Sequence, residues 1–91
     1  LYIESVSPAL GKAAYVRHLN GRQIAEACKL LGAGREKKGD AIDLSVGVVV
    51  HKKVADQVEP NEAIATIYAN SKNALALAKE LVLGAYEYVD S

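Results

Sequence analysis

Side chains that could bind or transform a ligand are few in this sequence, and they are scattered. The two histidines, His18 and His51, and the single cysteine, Cys28, lie far apart along the chain. No nucleophile stands next to a base, which covalent catalysis requires, and no two of His, Cys, Asp and Glu recur at a metal-binding spacing. We therefore interpret both histidines as structural or surface residues and Cys28 as a buried small apolar residue. We expect no catalytic residue, no substrate-binding residue, no metal and no cofactor in this chain.

The segment 32–43 carries the strongest functional pattern. It combines three glycines with six charged side chains and shows no periodicity, which predicts a long loop. Loops of about a dozen residues are uncommon inside compact domains and are often functional. Phosphate-binding loops place their glycines between a strand and the start of a helix, whereas Gly32 and Gly34 follow a predicted helix. Gly32 is instead expected to be the left-handed cap of that helix.

The helices that position this loop follow from apolar periodicity and from capping residues. Asn20, with Gln23 three residues later as in a capping box, predicts the start of the first helix. The second helix is expected to begin after Asn70 or Ser71 and to end at Gly84. The predicted elements, in order, are strands at 2–6 and 14–17, a helix at 21–31, a strand at 46–50 that continues through 51–54, a return strand at 63–68, a helix at 71–83 and an edge strand at 86–89.

These elements predict an α+β fold, with a small, mostly antiparallel sheet covered on one side by two helices. The β-branched run 46–50 is expected to be a central strand. Pro60 and Asn61 predict a turn, with Asn61 in the left-handed conformation, and the hairpin 54–67 resembles half of a biotinyl or lipoyl sandwich. The core is expected to contain Ile24, Val48, Val50, Ile64, Ile67, Leu75, Ala78 and Val82.

Composition limits the partners. Eleven basic residues balance eleven acidic ones, so no net field attracts nucleic acid or an anionic membrane. The apolar runs are far shorter than the roughly 20 residues that span a bilayer. We expect one cytoplasmic domain over residues 1–91, cut from a longer polypeptide because Leu1 stands in place of Met. Four lysines are interpreted as solvated charges: Lys37, Lys38, Lys52 and Lys53.

The sequence from residue 31 onwards resembles the C-terminal domain of pyrimidine-nucleoside and thymidine phosphorylases. Its most specific signature is Gly-Ala-Gly-Arg at 32–35, followed by Asp-x-Ile-Asp at 40–43. The likeness continues through 46–54 and 62–70 and begins weakly at 2–4 and 15–16. The family has glycine at three positions where this chain has Ala14, Ala55 and Asn61. Asn61 is the easiest of these to accommodate, since Asn tolerates positive φ, whereas Ala55 implies a somewhat different strand twist.

The resemblance implies a homodimeric parent enzyme with a small helical domain, a larger α/β domain and this domain packed on the latter. The parent reaction is reversible phosphorolysis, in which orthophosphate is a substrate and displaces the base from a pyrimidine nucleoside. In the family the phosphate and base lie between the other two domains. This chain alone is therefore expected to be inactive, since phosphorolysis needs several converging donors.

Two interpretations of the loop stay open. In one, Arg35 forms a salt bridge with Asp40 or Asp43 and the loop is purely structural. In the other, the loop contacts the α/β domain near the cleft and helps to set its closed state. Direct phosphate contact by Arg35 is the least favoured reading. The residues of this predicted gating loop are Gly32, Gly34, Arg35, Asp40 and Asp43.

Two rival functions belong to other classes. A biotinyl or lipoyl carrier module needs its modified lysine at the tip of a tight hairpin, whereas Lys52 and Lys53 lie inside a predicted strand and the tip carries Pro60 and Asn61. A free-standing interaction domain would have no enzyme parent. Both are disfavoured against the phosphorylase reading.

Overall fold

A computed structural model describes residues 1–32 and 45–90 of the 91-residue chain. Two helices and six strands lie in these ranges. No helix among the described residues is long and apolar enough to cross a membrane. The elements are β1 (Tyr2–Val6), β2 (Ala14–Leu19), α1 (Gly21–Leu31), β3 (Gly47–Val50), β4 (Gln57–Val58), β5 (Ala65–Ala69), α2 (Lys72–Ala85) and β6 (Tyr86–Val89).

The strands form two antiparallel sheets of three strands, in the orders β1-β5-β3 and β4-β2-β6. The predicted α+β class and the antiparallel pairing are confirmed, but there are two small sheets where one was expected. The division arises because β4 pairs with β2, so that Ala14 lies opposite Val58. The likeness of 54–67 to half of a biotinyl or lipoyl sandwich is not confirmed, since β4 and β5 belong to different sheets.

The apolar run at 46–50 forms an edge strand, so its predicted central position is wrong. β5 is the central strand of its sheet and pairs with both β1 and β3. The predicted continuation through 51–54 is also absent. Beyond Val50 the chain crosses to the other sheet, where the Ala55 N–H donates to the Val16 carbonyl at 2.8 Å and the Val16 N–H donates to the Asp56 carbonyl at 2.9 Å. These two bonds draw the backbone away from β5.

Both helix starts are capped as predicted. The Asn20 side chain accepts a hydrogen bond from the Gln23 backbone N–H at 3.1 Å, and the Ser71 hydroxyl accepts one from the Ala74 N–H at 3.0 Å. The second half of the predicted capping box does not form, because the Gln23 amide donates to the Leu81 carbonyl at 2.8 Å and so joins α1 to α2.

The second helix does not end at Gly84. It continues to Ala85 because the Asn20 N–H donates to the Ala85 carbonyl at 2.8 Å and so satisfies one acceptor of the last turn. The next residue, Tyr86, is extended with φ −101° and begins β6 directly. The predicted edge strand at 86–89 is confirmed on the outside of the second sheet.

The core lies between the helix pair and one face of the β1-β5-β3 sheet. α2 packs on β5 and β1, and α1 packs on β3. Half of the predicted core residues are buried, and the others are partly buried against them. The buried ones are Ile64, Ile67, Ala78 and Val82, and the partly buried ones are Ile24, Val48, Val50 and Leu75.

Candidate functional site

The predicted gating loop falls mostly outside the described residues. Gly34, Arg35, Asp40 and Asp43 lie there, and Gly32 alone is described. Gly32 caps α1 as predicted, with φ 101°, and its N–H donates to the Lys29 carbonyl at 3.0 Å. A side chain at this left-handed position would be strained, which explains why the helix ends on glycine.

The chain leaves α1 and returns to β3 at neighbouring points. A β-carbon added to Gly32 would lie 4.0 Å from Cγ2 of Val46. Val46 itself is buried in the core, just ahead of β3. The described ends of the loop are therefore held together by packing at the edge of the β1-β5-β3 sheet.

A shallow groove of about 320 Å³ lies where the chain enters β3. It opens on the face of the β1-β5-β3 sheet that carries Val49 and Tyr68, and Val49 is exposed. Its lining is mostly aliphatic and uncharged. The lining residues are Ser45, Val46, Gly47, Val48, Val49 and Tyr68.

Both histidines are exposed, in agreement with their reading as surface or structural residues. Nε2 of His51 lies 2.7 Å from the Thr66 hydroxyl across the β3–β5 edge, which fixes the ring on the sheet surface. His18 lies on β2 in the other sheet. The structure does not bring the two together. Within residues 1–32 and 45–90, no three of His, Cys, Asp and Glu come close enough to hold a metal ion.

Lys52 is a correction to the reading of the lysines as solvated charges. Its side chain is only 19% exposed, and its ammonium donates to Oε2 of Glu62 at 2.8 Å. This hydrogen bond, together with one from the Glu59 backbone N–H, lowers the pKa of Glu62 below its ordinary value. Glu62 in turn closes the 59–62 turn, since its N–H donates to the Glu59 carbonyl at 3.0 Å. The ion pair therefore holds a turn in place.

The geometry of that turn does not suit a carrier module. Its two central residues are Pro60 and Asn61, and the nearest charged amine, on Lys52, is engaged with Glu62. A swinging prosthetic arm needs a free lysine at the tip. Among the described residues, the turn offers none.

Sequence reasoning missed the role of the tyrosines at the start of β6. The Tyr86 hydroxyl donates to the Lys52 carbonyl at 2.8 Å, and the rings of Tyr86 and Tyr88 stack with centroids 6.1 Å apart. Burial, followed by the nearby Tyr88 and Asp56, raises the pKa of Tyr86 to about 12. Burial also raises the pKa of Tyr88, whose hydroxyl has no hydrogen-bond partner among the described residues. The alternation at 86–89 predicted the strand but carried no signal for these contacts.

The described residues therefore make a scaffold and do not make a reaction centre. Two further grooves lie along the helices, of about 380 Å³ and 110 Å³, and both are open and lined partly by Glu26 and Leu81. Neither brings a nucleophile next to a base. The uncharged groove at β3 is the surface feature that adjoins the predicted loop.

Comparison with known proteins gives a consistent result. Residues 15–89 match the sequence profile of the pyrimidine nucleoside phosphorylase C-terminal domain. Over 70 residues, or 77% of the chain, the sequence is 43% identical to the pyrimidine-nucleoside phosphorylase of Staphylococcus aureus strain USA300. The same values hold for the proteins of that name in strains NCTC 8325 / PS 47 and COL. The matched segment is 16% of the length of these relatives, so the chain spans about one sixth of them.

Proposed function

Because this chain belongs to the pyrimidine nucleoside phosphorylase family, as its C-terminal domain, we propose that it is the structural and gating domain of an enzyme that phosphorolyses pyrimidine nucleosides. In that reaction, orthophosphate attacks C1′ of the pentose, the glycosidic C–N bond breaks and a C–O bond to phosphate forms. The free base and (deoxy)ribose 1-phosphate are the products, and the reaction is reversible. The observation that carries the proposal is the family match over residues 15–89.

The arrangement of the described residues supports a supporting role for the domain. Phosphorolysis requires cationic and hydrogen-bonding groups that converge on the phosphate dianion and on the departing base. Here Lys52 is engaged with Glu62, and His51 with Thr66. We therefore place the chemistry in the helical and α/β domains of the same polypeptide, with this chain inactive alone.

We assign the gating role to the loop that begins at Gly32, with Gly34, Arg35, Asp40 and Asp43 as its functional residues. The packing of Gly32 beside Val46 supports it, since both ends of the loop are anchored on one rigid sheet edge. A loop anchored in this way moves with the domain, so contacts made by Arg35 would report domain position to the cleft. The whole enzyme is proposed to be a cytoplasmic homodimeric pentosyltransferase that salvages pyrimidine nucleosides.

The test uses the full-length polypeptide that carries this chain. We expect release of uracil or thymine from uridine or thymidine only when orthophosphate is present, and no release by the 91-residue chain alone. Base release that does not depend on phosphate would contradict the proposed reaction.

The gating role is tested in the same protein by Arg35→Ala. Turnover is expected to fall by about tenfold, which corresponds to ~1.4 kcal/mol of transition-state free energy. Arg17→Ala is the matched control, because Arg17 is exposed on β2 in the other sheet. If Arg35→Ala instead lowers the melting temperature of the isolated chain in proportion to the loss of turnover, the loop is purely structural.

A further inference from the structure

The two faces of the β1-β5-β3 sheet have different surroundings. On the inner face, Val6, Ala65 and Ile67 are fully buried beneath the helices. Along each strand, alternate side chains point to the opposite face, where no element of the described chain packs on them. We call this the outer face; its residues, set by the register of the three strands, are Ile3, Ser5, Gly47, Val49, Thr66 and Tyr68.

The outer face is apolar and uncharged. Ile3 is 59% exposed and Val49 is 47% exposed, on the two edge strands, with Tyr68 half-buried between them. None of its six residues is Asp, Glu, Lys or Arg. The groove at the start of β3 opens onto the same face.

The other sheet shows what a solvent-facing surface looks like in this molecule. Its outward residues include Arg17, His18, Gln57 and Glu87, all exposed. An antiparallel sheet with one solvated face normally alternates apolar inward residues with polar outward ones. The β4-β2-β6 sheet follows that pattern and the β1-β5-β3 sheet does not. The outer face therefore has the composition of a layer that is covered by another.

We propose that the outer face docks against the α/β domain of the same polypeptide, as the middle layer between that domain and helices α1 and α2. This inference rests on the proposed function. The matched segment is only 16% of the length of the relatives, so the remainder of such a chain is a body several times larger that has to hold this domain. The lack of charge on the outer face fits an apolar patch of that body and disfavours an anionic or cationic partner.

The edge position of β3 adds to this inference. Because β3 is the outermost strand and directly follows the predicted gating loop, a body seated on Val49 and Tyr68 would also lie next to the point where that loop rejoins the sheet. Docking and gating would then use one continuous surface.

The test is cysteine accessibility in the full-length protein without substrate. V49C is compared with V89C, a matched control because Val49 and Val89 are both valines on edge strands and both are 47% exposed. Each variant is labelled with a maleimide, and the labelled peptide is identified by mass spectrometry, which separates the signal from that of Cys28. We expect V49C to react at least tenfold more slowly than V89C in the native protein and at the same rate in denaturant.

The opposite results are equally clear. Equal native rates at the two positions would overturn the proposal. Protection of V49C that disappears on dilution would also overturn it, because a second copy of the chain would then be the occupant. I3C, on the opposite edge strand, is expected to be protected with V49C, so a fold perturbed at one position does not decide the outcome.

Labelling is independent of catalysis, so the two proposals fail separately. An active phosphorylase in which V49C reacts freely would refute the docking face alone. A protected V49C in a protein without phosphorolysis activity would refute the proposed function and leave the docking face in place.

Discussion

At the scale of single residues, Ala55 occupies a backbone conformation that its type disfavours. Its φ is 79°, and it is the one non-glycine residue with positive φ in the described part of the chain. It lies in a turn that is closed by the Asp56 N–H donating to the Lys53 carbonyl at 3.0 Å. The left-handed conformation costs an L-residue about 1–2 kcal/mol. The phosphorylase pattern has glycine here, so this chain carries strain that its relatives avoid.

Ala55→Gly is expected to raise the free energy of unfolding by about 0.5–1 kcal/mol, because relief of strain exceeds the entropy that glycine adds to the unfolded chain. The measurement is a urea titration. Ala25→Gly, at an exposed position inside α1, should lower the same quantity by about 1 kcal/mol. A destabilising Ala55→Gly would mean that the turn is not strained.

The left-handed residue was predicted at Asn61 and is found at Ala55. Residue type pointed to Asn61, since Asn tolerates positive φ better than Ala does. The choice was made by partners distant in sequence: hydrogen bonds of Ala55 and Asp56 to Val16 bend the chain where it changes sheets. Single-residue preference contains no information about such partners.

At the scale of elements, local signals predicted helix starts well. Asn20 and Ser71 are N-caps, and Gly32 ends α1. These signals act over three or four residues and are visible in the sequence. Strand pairing was less predictable, because the partner of β4 is β2 rather than the nearby β5. Hydrophobic alternation indicates that a strand exists and leaves its neighbour open.

Ser71→Ala is expected to destabilise the protein by about 1 kcal/mol, because the Ala74 N–H loses its acceptor at the exposed start of α2. Chemical denaturation at neutral pH measures the change. Ser71→Asp keeps an acceptor and should retain most of the stability. Equal losses in the two variants would show that the cap contributes through something other than this hydrogen bond.

At the scale of the whole molecule, Tyr86 ties the two sheets together. It belongs to the β4-β2-β6 sheet, and its hydroxyl donates to the Lys52 carbonyl in the connection that leaves β3. Its pKa is raised from an ordinary value near 10 to about 12. The unfolded chain therefore loses this proton at lower pH than the folded one. The contribution of Tyr86 is complete below pH 10 and is lost as the pH rises towards 12.

Tyr86→Phe should lower stability at pH 7 by about 1 kcal/mol, through the lost hydrogen bond, and should reduce the decline between pH 10 and 12. Part of the decline remains, because the pKa of Tyr88 is also raised. Urea titrations at a series of pH values give the measurement, with Tyr15→Phe as the control on the outer face of the same sheet. An unchanged alkaline decline in Tyr86→Phe would contradict this account.

The candidate site was only partly predictable for the same physical reason. The sequence placed a functional loop at 32–43 from its glycines and charges, and the αL cap at Gly32 agrees with that placement. It did not predict the outer face, because Ile3, Val49 and Tyr68 come from three separate strands and meet only through sheet register. A surface assembled in this way has no local signature.

The strand order also affects how the domain is made. A ribosome releases β1 and β2 first, yet β1 pairs with β5 and β2 pairs with β6. Neither sheet can close until the chain has emerged as far as Ala69, and the second sheet waits for Val89. The nascent chain therefore carries two unpaired strands with apolar faces through most of its synthesis, a state in which chaperones and neighbouring domains compete for the same edges.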